Sequence, residues 1–188
     1  MSPRADPGPA RIPILGFVGC RGVGKTTLLT RLLPRLGEQG LRVGVLKQAH
    51  RTFEIDHRGK DSYELRKAGA LQTLVASRRR WALIVETPAG TDEPRLAALL
   101  QHLDQTRLDL ILVEGFRHEP IPKVEVHRPV LGNPLFVRDD PMIVALAADR
   151  PVGQLAVPVL DLNRPRRIAE FVIHRCCPQV HERGLTVT

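Results

Sequence analysis

The octet Gly19-Cys20-Arg21-Gly22-Val23-Gly24-Lys25-Thr26 constrains this chain more than any other feature. It meets the pattern G-x-x-x-x-G-K-[ST], which has meaning where a strand precedes it and a helix begins within it. The glycines let the backbone curl with its N–H groups pointing inward, a nest for phosphate oxygens. The helix N-terminus adds partial positive charge to the same place. Gly19, Gly22, Val23, Gly24, Lys25, Thr26 and Thr27 are therefore the candidate phosphate-binding residues, with Cys20 a small neutral filler that contributes its amide. Lys25 is expected to reach the β and γ phosphates. The Thr26 hydroxyl is expected to ligate Mg²⁺, which keeps most of its other ligands as water and phosphate.

The flanking sequence supplies the required context. Residues 12–18 are an apolar run that reads as a buried strand feeding the loop. From Thr26 to Glu38, leucines at 28, 29, 32, 33 and 36 mark one face of a helix, closed by Gly37 and Gly40 before a second strand at 41–47. This is a βαβ beginning. A short helix is expected from Asp61, capped by Asp61 or Ser62 and ending near Gly69. Residues 71–76 and 81–87, joined by the polar turn 77–80, read as an antiparallel hairpin. Asp92 is expected to open a second long helix bearing Leu96, Leu99, Leu100 and Leu103. Residues 108–113 form the most apolar strand and end in Glu114-Gly115. Further strands are expected at 123–127, 142–148 and 156–160, a proline-punctuated linker at 129–141, and a final helix at 166–175. The predicted fold class is α/β: a P-loop NTPase with a mainly parallel sheet flanked by helices, plus an antiparallel β-hairpin.

At 188 residues with 43% hydrophobic content, one ordinary globular domain is the expectation, covering 12–175 between a loose tail at 1–11 and a C-terminal tail at 176–188. No apolar stretch approaches the roughly 20 residues of a membrane span, and the N-terminus lacks the apolar core of a secretory signal. A cytoplasmic location without membrane contact follows, and three cysteines without paired spacing suit a reducing compartment. A net charge of +8 raises nucleic-acid binding, but the arginines are scattered and aromatics are only 4%, so a nucleic-acid partner is not expected. Acidic small ligands explain the charge equally well. Of the five lysines, Lys25, Lys47, Lys60 and Lys67 gather in or after the first βαβ segment, where a compact ammonium differs from Arg in kind.

A carboxylate for the metal or its water shell is expected at the end of an apolar strand. Glu114 fits best and Glu86 competes. Lys25 and Glu114 are the candidate catalytic groups, Thr26 and Glu114 the candidate metal ligands, and the Gly115 amide is placed to face a γ-phosphate. The polar stretch 48–61 reads as a switch-like surface loop carrying Lys47, His50, Asp56, Lys60 and Asp61, of which Lys47 and Asp61 are candidate nucleotide contacts. His50, Asp56 and His57 form a weak metal set against an ordinary solvated loop. No Asn-Lys-x-Asp tetrapeptide occurs. Asp149 is its nearest substitute, able to accept from guanine N1 and N2, or to serve simply as a cap or turn residue. A small-molecule kinase recruiting Arg117 or the 78–80 arginines is the alternative class.

Several segments together resemble the MobB family, adaptors of molybdopterin-guanine dinucleotide biosynthesis. They are the loop followed by Thr27-Leu28-Leu29, the run Gly59-Lys60-Asp61-Ser62-Tyr63-Glu64-Leu65-Arg66-Lys67-Ala68-Gly69-Ala70, Gln72-Thr73, Val75-Ala76-Ser77, Arg80-Trp81-Ala82-Leu83, Glu86-Thr87-Pro88, and Leu108 through Val113 with Glu114-Gly115-Phe116. The loop alone suits many families; the 59–70 run with Val113-Glu114-Gly115-Phe116 is specific. The resemblance implies GTP and Mg²⁺ as cofactors and weak hydrolysis. It implies assistance to the guanylyltransferase MobA in attaching GMP to molybdopterin, itself a further candidate ligand. It also implies a homodimer. The hairpin agrees, because an isolated edge with unpaired N–H and C=O groups invites a second copy, the alternative being that its arginine tip keeps that edge unpaired. One departure stands out: the family pattern has a His after the second-strand lysine, where this chain has Gln48, with His50 retained.

Overall fold

A computed structural model describes residues 12–49, 55–87 and 94–179 of the chain. Its contacts group into two compact units, Met1–Gln48 with Arg95–Thr188, and Ala49–Pro94. The range 12–175, read from the sequence as one domain, spans both. In the first unit the chain runs β1 (Ile14–Val18), α1 (Lys25–Glu38) and β2 (Val43–Lys47). The second unit holds α2 (Asp61–Lys67), β3 (Gln72–Ala76) and β4 (Trp81–Val85). The first unit then resumes with α3 (Leu96–Leu100), β5 (Leu110–Glu114), β6 (Lys123–His127), β7 (Ile143–Ala148), β8 (Val159–Asp161) and α4 (Pro165–Cys176).

The large sheet has the order β2-β5-β1-β6-β7-β8, and every pairing in it is parallel. Strand alternation sends successive side chains to opposite faces. Leu15 and Phe17 of β1, Leu110 and Leu112 of β5, Val124 and Val126 of β6, and Ala145 and Ala147 of β7 pack with α1 and α4 in the main core. The intervening Ile14, Ile111 and Val113 pack on α3 and Phe116 instead. Strands buried on both faces read as continuous apolar runs, which is why β5 was legible as the most apolar segment.

The second face is closed largely by non-helical chain, and two buried charges hold it. Lys123, only 2% exposed, donates to the Arg117 and Glu119 carbonyls and pairs with Asp140 at 3.0 Å. Glu125, 1% exposed, accepts the Phe136 and Val137 N–H groups. All three ammonium donors and both carboxylate oxygens are thereby engaged, the condition under which burying a charge is tolerable. The expected linker 129–141 thus carries two 3-10 turns, Pro129–Leu131 and Phe136–Arg138, the second pinned by Glu125.

Some expected elements differ. The second long helix is five residues, Leu96–Leu100, because His102 and Leu103 bond back to Leu99 and Leu100 in tight i→i−3 turns. Asp92, its expected cap, lies outside the described residues; the Leu96 N–H is accepted by Glu119 Oε1 instead. Lys60 occupies the N-cap position of α2, with Asp61 in the first turn. Packing continues through the fully buried Cys177, two residues past the expected domain edge.

In the second unit, β3 and β4 pair antiparallel from Gln72↔Val85 to Ala76↔Trp81, and Ser77 N–H to Arg80 O closes the turn. The Arg66 guanidinium pairs with both Asp56 and Glu86. Leu74, Trp81, Leu83 and Val85 share one face of this sheet and are all exposed. Among the described residues no helix is long and apolar enough to cross a membrane.

Candidate functional site

β1 is a central strand, so the loop that follows it emerges from the middle of the sheet's carboxyl edge, with β5 on one side and β6 on the other. Open parallel sheets bind ligands at that edge. The loop needs its glycines: Gly19, Gly22 and Gly24 have φ of 143°, 82° and 96°, values that L side chains rarely adopt. Gly24 is the left-handed N-cap of α1, and its carbonyl accepts the Leu28 N–H at 2.9 Å. Val23 is fully buried and anchors the loop to the core. Thr27 lies in the first turn of α1, exposed, and its carbonyl accepts the Thr30 hydroxyl.

Lys25 folds into the loop, donating to the Gly19 and Cys20 carbonyls at 2.8 and 2.9 Å. Burial holds its ammonium below the ordinary lysine range, and the nearby Lys47 charge pushes the same way. The Glu114 carboxylate and Cys20 oppose that shift.

Register explains how the next groups meet. Lys47 and Glu114 are partners at the ends of the parallel strands β2 and β5, and Phe17 of β1 is level with Glu114. Partners in register point to the same face, and for these strands it is the α1 face, where Thr26 lies in the first turn of α1. The Thr26 hydroxyl lies 2.8 and 2.9 Å from the two Glu114 oxygens, and Lys47 Nζ lies 2.9 Å from that hydroxyl and 3.2 Å from Glu114 Oε1. Glu114 is 7% exposed. A hydroxyl and a nearly buried carboxylate at one point make a hard-oxygen position that suits Mg²⁺ completed by phosphate and water. Among the described residues no three His, Cys, Asp or Glu converge as a metal-binding group. His50 lies outside the described residues, and Asp56 faces Arg66.

Glu86 sits in the second unit, at the end of β4 and bound to Arg66. Asp61 opens α2 in that unit and is exposed. The Gly115 N–H, expected to face a phosphate, donates to the Phe17 carbonyl at 3.1 Å and is spent within the sheet. A side chain at Gly115 would meet Gln48 Cβ at 2.9 Å, and the residue has φ of 93°. Gln48 Oε1 accepts the Phe116 N–H at 2.7 Å, so Gln48 fastens the turn after β5.

Asp149 follows β7, with one oxygen bound to Arg128 Nη1 and the other buried without a hydrogen-bond partner. Arg128 Nε in turn donates to the Val23 carbonyl at 3.0 Å. Arg128 therefore ties the phosphate loop to Asp149, a role no local pattern signals. Arg117, the kinase candidate, stacks on the Phe136 ring at 3.6 Å.

Comparison with known proteins places this arrangement. The family model for molybdopterin guanine dinucleotide synthesis protein B matches residues 14–149. The molybdopterin-guanine dinucleotide biosynthesis adapter protein of Escherichia coli (strain K12) is 47% identical over 167 residues, covering 88% of this chain and 94% of that one. The protein of the same name from Haemophilus influenzae is 41% identical, covering 86% and 88% of the two chains. The crystal structure of Bacillus subtilis MobB superimposes with a TM-score of 0.69 at 25% identity, over 88% of this chain and 98% of that one. A nucleotide-type loop on an all-parallel sheet and relatives matched over nearly their whole length lead to one conclusion: this chain belongs to the MobB family, molybdopterin guanine dinucleotide synthesis protein B.

Proposed function

We propose that this chain binds GTP with Mg²⁺ at the 19–26 loop and acts as an adaptor that assists the guanylyltransferase MobA in attaching GMP to molybdopterin. The observation that carries the reading is the convergence of Thr26 and Glu114 within 2.8 Å beside a loop that already holds Lys25. A nucleoside triphosphate supplies the phosphates and Mg²⁺ the charge that draws these groups together. The chain's own part is to present loop N–H groups and the Lys25 ammonium to phosphate, and Thr26 and Glu114 oxygens to the metal. The residues fit this pairing: loop carbonyls now hold Lys25, and the metal position already draws a cationic group.

Both Glu114 oxygens lie within 2.9 Å of the Thr26 hydroxyl, an arrangement that holds a cation and does not free a base for water. Slow hydrolysis and an accessory role accord with that arrangement. Guanine selection is proposed for Asp149, whose carboxylate, with one oxygen left unpartnered, can accept from guanine N1 and N2 once its part-buried pairing with Arg128 opens. A homodimer is the favoured assembly, because among the described residues β3 and β4 pair only with each other and Leu74, Trp81, Leu83 and Val85 on one face of that hairpin are exposed. A cytoplasmic site of action accords with GTP as ligand.

Titration of wild type and Lys25→Ala with GTP, ATP and XTP in Mg²⁺ tests the binding reading. Loss of triphosphate binding in a folded Lys25→Ala variant is expected, together with a shift toward XTP in Asp149→Asn. Wild-type affinity in Lys25→Ala overturns the site, and equal ATP and GTP affinities overturn the base assignment. Adding the protein to a guanylyltransferase reaction is expected to raise its yield. A multiple-turnover GTPase rate above roughly 1 per second, the low end of ordinary enzymes, would make it a catalyst in its own right.

A further inference from the structure

Lys47 stands where a metal is wanted. Its ammonium contacts the same two groups, Thr26 Oγ1 at 2.9 Å and Glu114 Oε1 at 3.2 Å, that form the hard-oxygen position beside the loop. The carboxylate is 9% exposed in its side chain, whereas Lys47 is 50% exposed and reaches in from the end of an edge strand. A lysine ammonium is a compact point charge that satisfies a hydroxyl and a carboxylate much as a cation would. Mg²⁺ demands oxygen ligands at about 2.0–2.1 Å in near-octahedral array. Two cations on these oxygens repel each other at close range.

We propose that Lys47 is a resident cation that fills the metal position of the nucleotide-free protein and couples Mg²⁺ to the terminal phosphate of the incoming triphosphate. The inference rests on the reading of the 19–26 loop as a Mg²⁺–nucleotide site. Metal entry displaces the ammonium, and half exposure lets the side chain leave without disturbing the core. Its backbone stays at the end of β2, beside the site, so the displaced charge remains within reach of an anion bound at the loop. A terminal phosphate supplies it; a nucleotide that stops at the β-phosphate offers less. Metal and terminal phosphate therefore favour each other's binding, and a coupling of this kind is reciprocal. An ordinary half-exposed ion pair between Lys47 and Glu114 would produce none of this.

The test begins without nucleotide. Mn²⁺ serves as the probe, its free concentration read by electron paramagnetic resonance during titration of wild type, Lys47→Met and Lys47→Arg. Lys47→Met is expected to bind Mn²⁺ about tenfold or more tightly than wild type, since a like charge has left the site. Lys47→Arg keeps the charge and stays near wild type. Adding Thr26→Val to Lys47→Met is expected to remove the gain. Equal Mn²⁺ affinity in wild type and Lys47→Met overturns the proposal, as does an Arg variant that behaves like Met or a gain that survives Thr26→Val.

The second arm measures GTP and GDP affinities in Mg²⁺. The preference of wild type for GTP over GDP is expected to shrink by about tenfold in Lys47→Met, the scale of one typical coupling between sites; an unchanged ratio overturns the coupling. Failure of wild type to bind GTP at all would sink the nucleotide reading itself, an outcome distinct from the Mn²⁺ comparison, which involves no nucleotide.

Discussion

Substituting Gly19 by Ala tests whether the loop works by shape. An ideal Cβ at this position lies 2.3 Å from the Val126 carbonyl oxygen, 3.3 Å from its carbon and 3.2 Å from Val23 Cγ2. Real Cβ atoms essentially never come within 3.0 Å of another heavy atom, so about 0.7 Å must be found. Val126 cannot provide it: it is 1% exposed in β6, a strand hydrogen-bonded between β1 and β7. The loop must move instead, and the φ of 143° adds backbone strain of about 1–3 kcal/mol. A misplacement near 1 Å costs on the order of 100-fold where groups must converge on a ligand. Gly19→Ala is therefore expected to lose roughly 100-fold in Mg²⁺–GTP affinity and about 1–3 kcal/mol of stability. Gly22 is the control, because its φ is also positive, at 82°, but no heavy atom lies within 4 Å of its Cβ position. Gly22→Ala carries only the strain, about 1–2 kcal/mol, and is expected to lose less affinity. Calorimetric GTP titration and denaturant melts of the two variants decide the matter. Wild-type affinity in Gly19→Ala, or a larger loss in Gly22→Ala, would refute the packing argument.

Glu114→Gln is expected to weaken Mg²⁺-dependent GTP binding by about 10–100-fold, the usual cost of disturbing a metal's carboxylate support, while Glu86→Gln, whose carboxylate pairs with Arg66, changes it little; titration against Mg²⁺ concentration checks this, and the reverse order would move the role to Glu86. Glu125→Leu strands the Phe136 and Val137 N–H groups and is expected to cost about 2–6 kcal/mol at roughly 1–3 kcal/mol per unmade buried bond. Urea denaturation measures that loss, and a shift below about 1 kcal/mol would contradict it. The Asp109 carboxyl, held down to about 2 by hydrogen bonds from the Arg42 side chain and N–H, stabilises the fold above the ordinary carboxylate range and loses that contribution as pH falls from about 4 through 2. Melting curves of wild type and Asp109→Asn over pH 2–6 are expected to converge at the acid end, by a small margin because Arg42 is exposed and Asp109 only partly buried; parallel curves would dismiss the linkage.

Local chemistry was legible without a structure wherever a few neighbouring residues decide the outcome. The positive-φ glycine loop at 19–24, the leucine face of α1, the apolar β5 and the β3–β4 hairpin each depend on spacing within one or two turns or on strand alternation. The same kind of reading overran at α3, because leucine spacing from 96 to 103 cannot reveal that the chain tightens into i→i−3 turns after Leu100. Contacts between distant residues needed the fold. Thr26 meets Glu114 across 88 residues and Arg128 reaches the Val23 carbonyl across 105, and both contacts exist because the sheet places β5 and β6 on either side of β1. The Gly115 N–H, free to point anywhere on paper, is taken by Phe17 once β1 and β5 pair, and the Gln48 side chain is taken up in holding Phe116. Lys47 was visible as a candidate phosphate contact, but its position on the Thr26 hydroxyl and the Glu114 carboxylate comes from the register Lys47↔Glu114. The sequence by itself determined which groups the site contains, since backbone curl, charge and hydroxyl chemistry are properties of the residues present. Only the tertiary structure decided which of them touch, because strand order and register are set by burial summed over the whole sheet and not by any one segment.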